Sequence, residues 1–450
     1  MFRKFLVLAT SAMVVACGGG GDGGDVTGPP TQGPADPCSV TGQKQFVLDA
    51  MRDWYLWNDA LPASVNIEAY ASPDELLAYL TTFSPDLGSG MPVDRFSFIN
   101  SAAADAAFFG EGKFEGFGFS SRFLAADDWR LTQVFEGSPA ELAGFARGQR
   151  ILALNGRPIA DIQAAEGVNA VLDMAPVEFT LRRPDATEFT VTVDTDIVTI
   201  DPVPQWRVLP LAGTPGVGYL ELRTFISTAE PEFESVFGEL AALGVTDLIV
   251  DLRYNGGGLV QTAELLGDYL GGAVAQNLLF SETRFNADRA AEYNDSEFFE
   301  LRGNSLNLSR LYVVASRGTA SASELVTNSL GPHVEVVIVG DRTFGKPVGQ
   351  VGLEFCEQIL RPTAFKTVNA NGEGDYFDGL PVQCPAVDDL DVPLGDEADP
   401  NVEAALAHAA TGSCPQAAAS KPGSQQKPGW REPLPAPGRG EPARDYAYAW

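Results

Sequence analysis

The chain has 450 residues, of which 45% are hydrophobic, so it is long enough for two or three domains with buried cores. Its 60 acidic residues outnumber its 30 basic residues, which gives a formal net charge of -30 at pH 7. Such a charge repels phosphate groups and therefore argues against nucleic-acid binding.

The N-terminus predicts an export signal with a lipid anchor. Arg3 and Lys4 precede an apolar run over residues 5–16, which is too short to span a bilayer comfortably. The run ends in VVAC and resembles a bacterial lipobox, whose cysteine becomes the acylated N-terminus. We therefore expect a lipoprotein signal peptide over residues 1–16 and lipidation at Cys17, which is the only membrane attachment that we predict. This places the protein in the bacterial cell envelope, at the outer membrane and facing the periplasm. The alternative is an ordinary secretory signal with a chance cysteine.

Four cysteines remain besides Cys17, an even number that suits disulfides in an oxidising compartment. They allow three pairings. We expect Cys356 to pair with Cys384 and Cys38 with Cys414, because the second bond would tie the ends of the folded region together. No CxxC spacing occurs and the chain has two histidines, so we expect no metal site and no cofactor.

Residues 17–37 are rich in Gly and Pro and predict a flexible linker. Residues 38–106 predict an N-terminal helical region, because apolar residues recur there at helical spacing. Within it, Ser72-Pro73-Asp74-Glu75 is a capping box that opens a helix. At the other end, residues 415–450 predict a disordered tail rich in Pro, Gly and Ala.

Residues 107–198 resemble a PDZ domain of the kind found in bacterial proteases. The stretch GFGF (Gly116, Phe117, Gly118 and Phe119) matches its carboxylate-binding loop, and GSPAELAG followed by GQRILALNG matches its most recognisable segment. Glycines let consecutive backbone N–H groups converge on an anion, while a peptide adds as a strand to the sheet edge. The resemblance implies a domain that binds the C-terminus of a protein or peptide substrate with apolar last residues. The alternative is a groove with a structural role alone.

Residues 199–414 alternate strand and helix, which predicts an α/β core around a largely parallel sheet. Ligands bind such sheets at the carboxyl ends of the strands. Two polar stretches follow buried strands at such ends: 251-DLRYNGGG-258 and 316-SRGTASASE-324. We therefore expect the functional site where these two stretches meet.

The chemistry favours a Ser-Lys dyad over a Ser-His-Asp triad. His333 lies at the far end of the helix that begins at Ser321, and His408 lies near the end of the folded region. Lys346 follows Ser321 by one helix, one strand and a turn, so contact is geometrically easy. As a base it needs a pKa that burial lowers toward the working pH, and Gln350 is placed to hold its amine. The alternative for Ser321 is an ordinary helix N-cap, since it opens the pattern Ser-x-x-Glu.

A serine nucleophile also needs donors for the oxyanion. If Ser321 begins a helix, the N–H of Ala322 points at the site and the helix dipole assists it. The second donor is an N–H of Gly256 or Gly257, where the missing Cβ permits close approach.

Together these motifs resemble the C-terminal processing peptidases, or tail-specific proteases, over residues 38–412. The resemblance rests on GFGF, GSPAELAG, DLRYNGGG, TASASE, and FGK with Gln four residues after the lysine. It implies a serine endopeptidase with a crotonase- or Clp-protease-like α/β core, cleaving proteins near their C-termini through an acyl-enzyme. It assigns the nucleophile to Ser321, the base to Lys346 and the supporting amide to Gln350. Ala322 and Gly257 become the oxyanion donors.

Two other functions remain open at this point. The first is a catalytically inactive protease fold whose PDZ domain recruits partners at the envelope. The second is an α/β protein that handles carbohydrate or lipid through the same glycine loop, against which the lack of paired carboxylates in a recognisable motif counts. The sequence makes no prediction of the natural substrate or the oligomeric state.

Overall fold

The structure is a computed structural model and describes residues 36–88 and 90–415. The predicted signal peptide, the lipidation site Cys17, nearly all of the linker and all but the first residue of the tail lie outside the described residues. Within the described ranges, no helix is both long enough and apolar enough to cross a bilayer.

The N-terminal region is mainly helical, as predicted, and contains one strand. Its elements are α1 (Val40–Trp54), α2 (Pro73–Thr81), β1 (Phe98–Ser101) and α3 (Ala102–Ala106), with short helical turns at Asn58–Ala60, Ile67–Ala69 and Ala107–Glu111. The predicted capping box at Ser72 forms: the Ser72 hydroxyl accepts the N–H of Glu75 at 3.2 Å. The Glu75 carboxylate reaches one residue further back and accepts the N–H of Ala71 at 2.7 Å.

The second region folds around its own sheet. Its elements are β2 (Lys113–Gly116), β3 (Phe119–Ala125), β4 (Asp128–Val134), α4 (Pro139–Leu142), β5 (Arg150–Leu154), β6 (Arg157–Pro158), α5 (Ile159–Ala165), α6 (Asn169–Leu172), β7 (Val177–Arg182), β8 (Glu188–Val193) and β9 (Asp196–Thr199). The sheet order is β3-β4-β5-β7-β8, with β6 on β5, while β2 pairs separately with β9. Alternating apolar residues bury one face of β7, as period-2 patterning predicts.

The third region is the predicted α/β core. Its elements are β10 (Gln205–Leu209), β11 (Val217–Glu221), α7 (Ala229–Ala242), β12 (Asp247–Asp251), α8 (Val260–Ala275), β13 (Leu279–Phe285), α9 (Ala290–Tyr293), β14 (Asp295–Phe298), β15 (Arg310–Ala315), α10 (Ala322–Leu330), β16 (Glu335–Gly340), β17 (Val348–Gln350), β18 (Leu353–Phe355), β19 (Gln358–Arg361), β20 (Thr363–Val368), β21 (Cys384–Pro385) and α11 (Pro400–Thr411). The main sheet has the order β10-β11-β12-β15-β16-β21 and is parallel from β11 onward. Its central strand β12 is buried along its whole length, as a parallel strand covered on both faces must be.

Two smaller sheets join the regions around the main sheet. One has the order β14-β13-β20-β17, and the other has the order β1-β19-β18. In the second sheet, β1 of the N-terminal region pairs antiparallel with β19 of the core, so that Phe98 lies opposite Arg361. The N-terminal region is therefore built into the core, and the segment just before β1 is held at a fixed place beside it.

The disulfide pairing that we predicted is wrong. Cys38 bonds to Cys356, and Cys384 bonds to Cys414. The first bond joins the start of the N-terminal region to the β18–β19 turn. The second closes a segment of 30 residues that contains α11. The wrong prediction assumed that the two ends of the folded region meet, whereas each end packs against a different part of the core.

Candidate active site

The two polar stretches singled out in the sequence meet at the carboxyl ends of β12 and β15, which are neighbours in the sheet. The carbonyl of Asn255 in the glycine loop accepts the N–H of Ala320 at 3.1 Å. On the other side of the loop, the Thr319 hydroxyl donates to the carbonyl of Leu252 at 2.6 Å. These bonds fix the loop after β12 against the start of α10.

Ser321 is the residue directly before α10 and has a strained backbone. Its φ is +56° and its ψ is -116°, a conformation that favours glycine and costs a serine about 1–3 kcal/mol. Its side chain is half-buried, whereas Ser323 is fully buried and donates to the carbonyl of Asn255 at 3.0 Å. Of the two serines, only Ser321 is open to a substrate, and strain of this kind is concentrated at functional sites.

The carboxylate of Glu324 ties the segment of Ser321 to the segment of Lys346. One oxygen, Oε2, accepts the N–H of Ser321 at 3.0 Å and the N–H of Lys346 at 2.8 Å. The other, Oε1, accepts the N–H of Gly345 at 2.8 Å and the hydroxyl of Thr343. Glu324 has no exposed surface, and burial raises its pKa despite these four donors. What reads in the sequence as a helix cap therefore also positions the lysine.

Lys346 and Gln350 lie in contact, as predicted. The Lys346 Nζ donates to Gln350 Oε1 at 2.9 Å. The Gln350 amide is itself held, because its Nε2 donates to the carbonyls of Phe96 and Arg361. The ring centroid of Phe96 lies 5.5 Å from Lys346 Nζ, so the N-terminal region covers the amine with an aromatic face.

The glycine loop lies against Ser321, but its N–H groups differ from the prediction. A Cβ on Gly257 would stand 2.7 Å from Ser321 Cβ and 2.9 Å from the nitrogen of Ala322, so no side chain fits there. The N–H of Gly257 donates to Asn255 Oδ1 at 2.8 Å and does not point at a substrate carbonyl. Gly257 can serve as an oxyanion donor only if its N–H leaves Asn255 Oδ1 and binds the substrate oxygen in its place. Ala322 opens α10, so its N–H has no carbonyl within the helix to bond. Gly256 lies in the same loop, and no contact distinguishes it as a donor.

A buried network of charged side chains holds the glycine loop in place. Arg253 is 1% exposed and bonds to the carboxylates of Asp251 and Asp399, each at 2.6 Å, and of Asp388 at 3.1 Å. Asp388 also accepts from Tyr254 and from Arg147 of the second region. Burial opposes ionisation of Asp388, but the surrounding guanidinium groups hold its pKa well below the usual range. The same carboxylate therefore anchors both the glycine loop and the neighbouring domain.

The predicted carboxylate-binding loop is a tight turn between β2 and β3. Gly118 has a φ of +86°, and a Cβ there would stand 2.1 Å from Ser138 Cβ, so glycine is required. The rings of Phe117 and Phe119 are buried in the core of the second region. Any contact of these phenylalanines with a peptide must therefore be through the backbone.

Both histidines are engaged elsewhere. His333 Nε2 lies 3.0 Å from the carbonyl of Leu279, and His408 Nδ1 lies 3.1 Å from the Tyr312 hydroxyl. Neither contacts the Ser321 segment in the described part of the chain, which agrees with the absence of a triad in the sequence.

Comparison with known proteins identifies the class of fold. The profile of peptidase family S41 matches residues 216–379, that of the peptidase S41 N-terminal domain matches residues 42–98, and a PDZ domain profile matches residues 130–193. A crystal structure of a Bacteroides fragilis protein assigned to the S41 proteases superposes with a TM-score of 0.63 at 25% identity, covering 80% of this chain and 96% of that one. The chain therefore carries a peptidase S41 domain, the N-terminal domain of that family and a PDZ domain, which confirms the predicted fold class.

Two curated relatives carry names that describe carboxyl-terminal processing. The chain is 31% identical over 238 residues to the chloroplastic C-terminal processing peptidase of Tetradesmus obliquus, an alignment that covers 49% of this chain and 48% of the relative. It is 30% identical over 214 residues to the carboxyl-terminal-processing protease of a Picosynechococcus species, covering 47% of this chain and 49% of the relative. The matched part of the chain spans about half the length of these curated relatives.

The sequence did not reveal four contributions to this site. Asp388 and Asp399 stand in an acidic segment without a motif, and only the fold brings them to Arg253. Phe96 lies about 250 residues before Gln350, and the β1–β19 pairing places it beside the dyad. Glu324 was visible as the last residue of a capping pattern, but its bond to Lys346 depends on the return of the chain after β16.

Proposed function

We propose that this protein is a serine endopeptidase that cleaves protein substrates near their C-termini, with Ser321 as nucleophile and Lys346 as base. The observation that carries the proposal is the Glu324 carboxylate, one oxygen of which binds the backbone N–H of both residues. This buried carboxylate joins two segments that lie 25 residues apart. Besides stabilising them it has a catalytic use, because it fixes nucleophile and base in one geometry.

In acylation, the neutral amine of Lys346 removes the proton of the Ser321 hydroxyl as its Oγ attacks the substrate carbonyl. Gln350 Oε1 orients the amine of Lys346, because it accepts one of the Nζ hydrogens in a hydrogen bond of 2.9 Å. The tetrahedral intermediate collapses when the ammonium of Lys346 returns the proton to the leaving amine of the substrate. The products of this half are the released C-terminal fragment and an ester on Ser321.

In deacylation, a water molecule gives a proton to Lys346 and attacks the ester carbon, and the proton then returns to Ser321 Oγ. In both halves the oxyanion receives a hydrogen bond from the N–H of Ala322 at the start of α10. A substrate carbonyl that enters beside Gly257 competes with Asn255 Oδ1 for the second N–H. The glycine loop thus completes the oxyanion hole when substrate is present.

We assign substrate capture to the PDZ domain, whose GFGF turn binds the terminal carboxylate and apolar last residues of a substrate. The domain adjoins the site, since Arg147 bonds to the same Asp388 that holds Arg253. We further propose that the protein is attached through a lipid on Cys17 to the outer membrane of a bacterium and faces the periplasm.

The test is hydrolysis of a protein with an apolar C-terminal tail by the full chain and by single variants. Ser321→Ala and Lys346→Ala each lower kcat/KM by at least about a thousandfold, as for other catalytic groups that act together. Ser323→Ala is the matched control, because it removes a hydroxyl two residues away, and it retains activity. Cleavage that survives both dyad variants would refute the Ser321–Lys346 dyad. A wild type that binds the tail and cleaves nothing would leave an inactive scaffold with a peptide-binding domain as the better description.

A further inference from the structure

The guanidinium of Arg95 lies beside the dyad and has no hydrogen-bond acceptor among the described residues. Its Cζ lies 4.7 Å from the ring centroid of Phe344 and 5.3 Å from that of Phe96. These two rings meet edge to face, with centroids 6.2 Å apart. Phe96 is also the ring that covers Lys346 Nζ, so guanidinium and ammonium share one aromatic neighbour. Cation–π contact holds the plane of the guanidinium but satisfies none of its N–H groups.

No acceptor for those N–H groups is found in the described ranges. The side chain is half-buried, and its Nε is buried without a hydrogen-bond partner. The nearby carboxylates of Glu324 and Asp378 act on Arg95 through space but form no hydrogen bond or ion pair with it there. Both oxygens of Glu324 are already occupied by its four donors. Leaving a buried charged donor unsatisfied is costly, so such a group needs a reason in function.

Most other ring-stacked arginines of the described chain have a carboxylate or carbonyl partner for the guanidinium, although the Nε atoms of Arg207, Arg223 and Arg289 are also buried without a hydrogen bond. Six of them also bond to a carboxylate or a carbonyl: Arg147, Arg207, Arg223, Arg289, Arg310 and Arg361. The seventh, Arg183, lies in a turn of the PDZ domain, where it acts electrostatically on Asp185. Arg95 differs from all of them in lying at the catalytic dyad.

A second arginine lies close to Arg95. Burial lowers the pKa of Arg95 and the positive charge of Arg317 lowers it further, while the carboxylates of Glu324 and Asp378 act in the opposite direction. Arg317 is turned to the carbonyls of Thr343 and Asp378, at 2.8 and 3.1 Å. A planar carboxylate matches the fork of a guanidinium better than any other protein anion, and an added negative charge relieves the repulsion between the two arginines.

We propose that Arg95 binds a carboxylate of the substrate close to the scissile bond and so determines which peptides the dyad cleaves. The carboxylate is either the C-terminus of a short leaving segment or the side chain of an acidic residue. This inference rests on the proposed function, since it takes the cleft at Ser321 to be the place where peptide is cleaved. It differs from capture by the PDZ domain, because Arg95 belongs to the N-terminal region and contacts the dyad segment through Phe344.

Three peptides of one length and one core sequence test the proposal and separate the two sources. The first has neutral side chains and a free C-terminus, the second has an amidated C-terminus and a glutamate near the scissile bond, and the third is amidated with glutamine at that position. The full chain is compared with Arg95→Gln and with Arg95→Lys. Arg183→Gln is the matched control, because it removes a ring-stacked arginine outside the cleft.

Wild type is expected to cleave at least one carboxylate peptide faster than the neutral peptide. Arg95→Gln lowers kcat/KM for that peptide by about ten- to hundredfold, the value of a charge-assisted hydrogen bond, mainly through KM. It changes the neutral peptide by less than about threefold, and Arg95→Lys retains part of the preference. The peptide that responds identifies the source of the carboxylate. An equal loss on all three peptides, or no loss on any, overturns the proposal.

A binding measurement in the Ser321→Ala background separates this proposal from the proposed function. There the affinity for the responding peptide falls with Arg95→Gln and stays constant with Arg183→Gln. If wild type cleaves nothing but binding still depends on Arg95, the protease assignment fails and the carboxylate site stands. If wild type cleaves all three peptides equally and binding ignores Arg95, the carboxylate site fails and the protease assignment stands.

Discussion

Replacing Glu324 with glutamine is expected to weaken the link between the nucleophile and the base without removing either. In the native site each carboxylate oxygen accepts two hydrogen bonds, and each N–H bonded to Oε2 belongs to one member of the dyad. A glutamine amide offers one acceptor oxygen and one NH₂ group. If the NH₂ group faces the dyad, the N–H groups of Ser321 and Lys346 both lose their acceptor; if it faces Thr343, that hydroxyl can turn to accept, and the N–H of Gly345 alone loses its acceptor.

Each buried donor left without an acceptor costs about 1–3 kcal/mol, so the variant, with one or two such donors, loses about 1–6 kcal/mol in this segment. Part of that appears as a lower melting temperature. The rest appears as a fall in kcat, because a neutral amide holds the strained backbone of Ser321 more weakly than a carboxylate does. We expect kcat to fall by at least about tenfold and KM to change little, since Glu324 is fully buried and cannot touch substrate.

Two matched controls exist in the same chain. Glu75 and Glu141 end Ser-x-x-Glu boxes at other helix starts, where each accepts one N–H, from Ala71 and from Gly137. Glu75→Gln and Glu141→Gln are expected to reduce stability slightly and leave kcat within about twofold. Peptide hydrolysis and thermal melts are measured on all three variants. A Glu324→Gln variant with wild-type kcat and wild-type melting would refute the view that this carboxylate couples the dyad.

Three further perturbations have expected outcomes. Gln350→Ala removes the acceptor of the dyad amine and lowers kcat by about tenfold at constant KM; unchanged kcat would show that the 2.9 Å bond has no role in turnover. Replacing both Cys384 and Cys414 with serine opens a 30-residue loop and reduces the free energy of unfolding in urea by about 3–4 kcal/mol; a change below about 1 kcal/mol would contradict the loop-closure argument. Burial and the negative charges around Glu264 raise its pKa from 4.5 to about 8. The carboxyl therefore stays protonated in the native state while it ionises in the unfolded state, and the free energy of unfolding falls as pH rises from about 4.5 to about 8. Glu264→Gln is therefore expected to gain stability relative to wild type between pH 5 and pH 8, by at most about 5 kcal/mol, and a gain that is constant with pH would contradict this cause.

Local chemistry in the sequence was enough to predict much of the site. Ser321, Lys346 and Gln350 lie within one stretch of about 30 residues, and the α/β pattern already places the end of β15 and the glycine loop together. The predicted capping box at Ser72 formed because it depends only on residues three or four apart. Contacts of this range follow from the spacing of the residues.

The parts that escaped prediction depend on contacts between distant segments. Phe96 and Arg95 reach the dyad through the β1–β19 pairing, which no short pattern encodes. The disulfide partners likewise depend on where α11 and the β18–β19 turn pack. The N–H of Gly257 was expected to face substrate, but the side chain of Asn255, two residues earlier, takes it in the structure described here. A polar side chain within a glycine loop can therefore compete with a substrate carbonyl for the backbone N–H groups of that loop.

The most direct test of the account is to locate the acyl group on the enzyme during turnover. The full chain is mixed with a peptide ester of an apolar tail, quenched in acid, digested and analysed by mass spectrometry. The account predicts that the mass of the acyl portion is added to the fragment that contains Ser321, that Ser323→Ala retains the adduct, and that Ser321→Ala and Lys346→Ala abolish it. Product formation with no adduct under these conditions, or an adduct that Ser323→Ala removes and Ser321→Ala keeps, would contradict the assignment of the nucleophile.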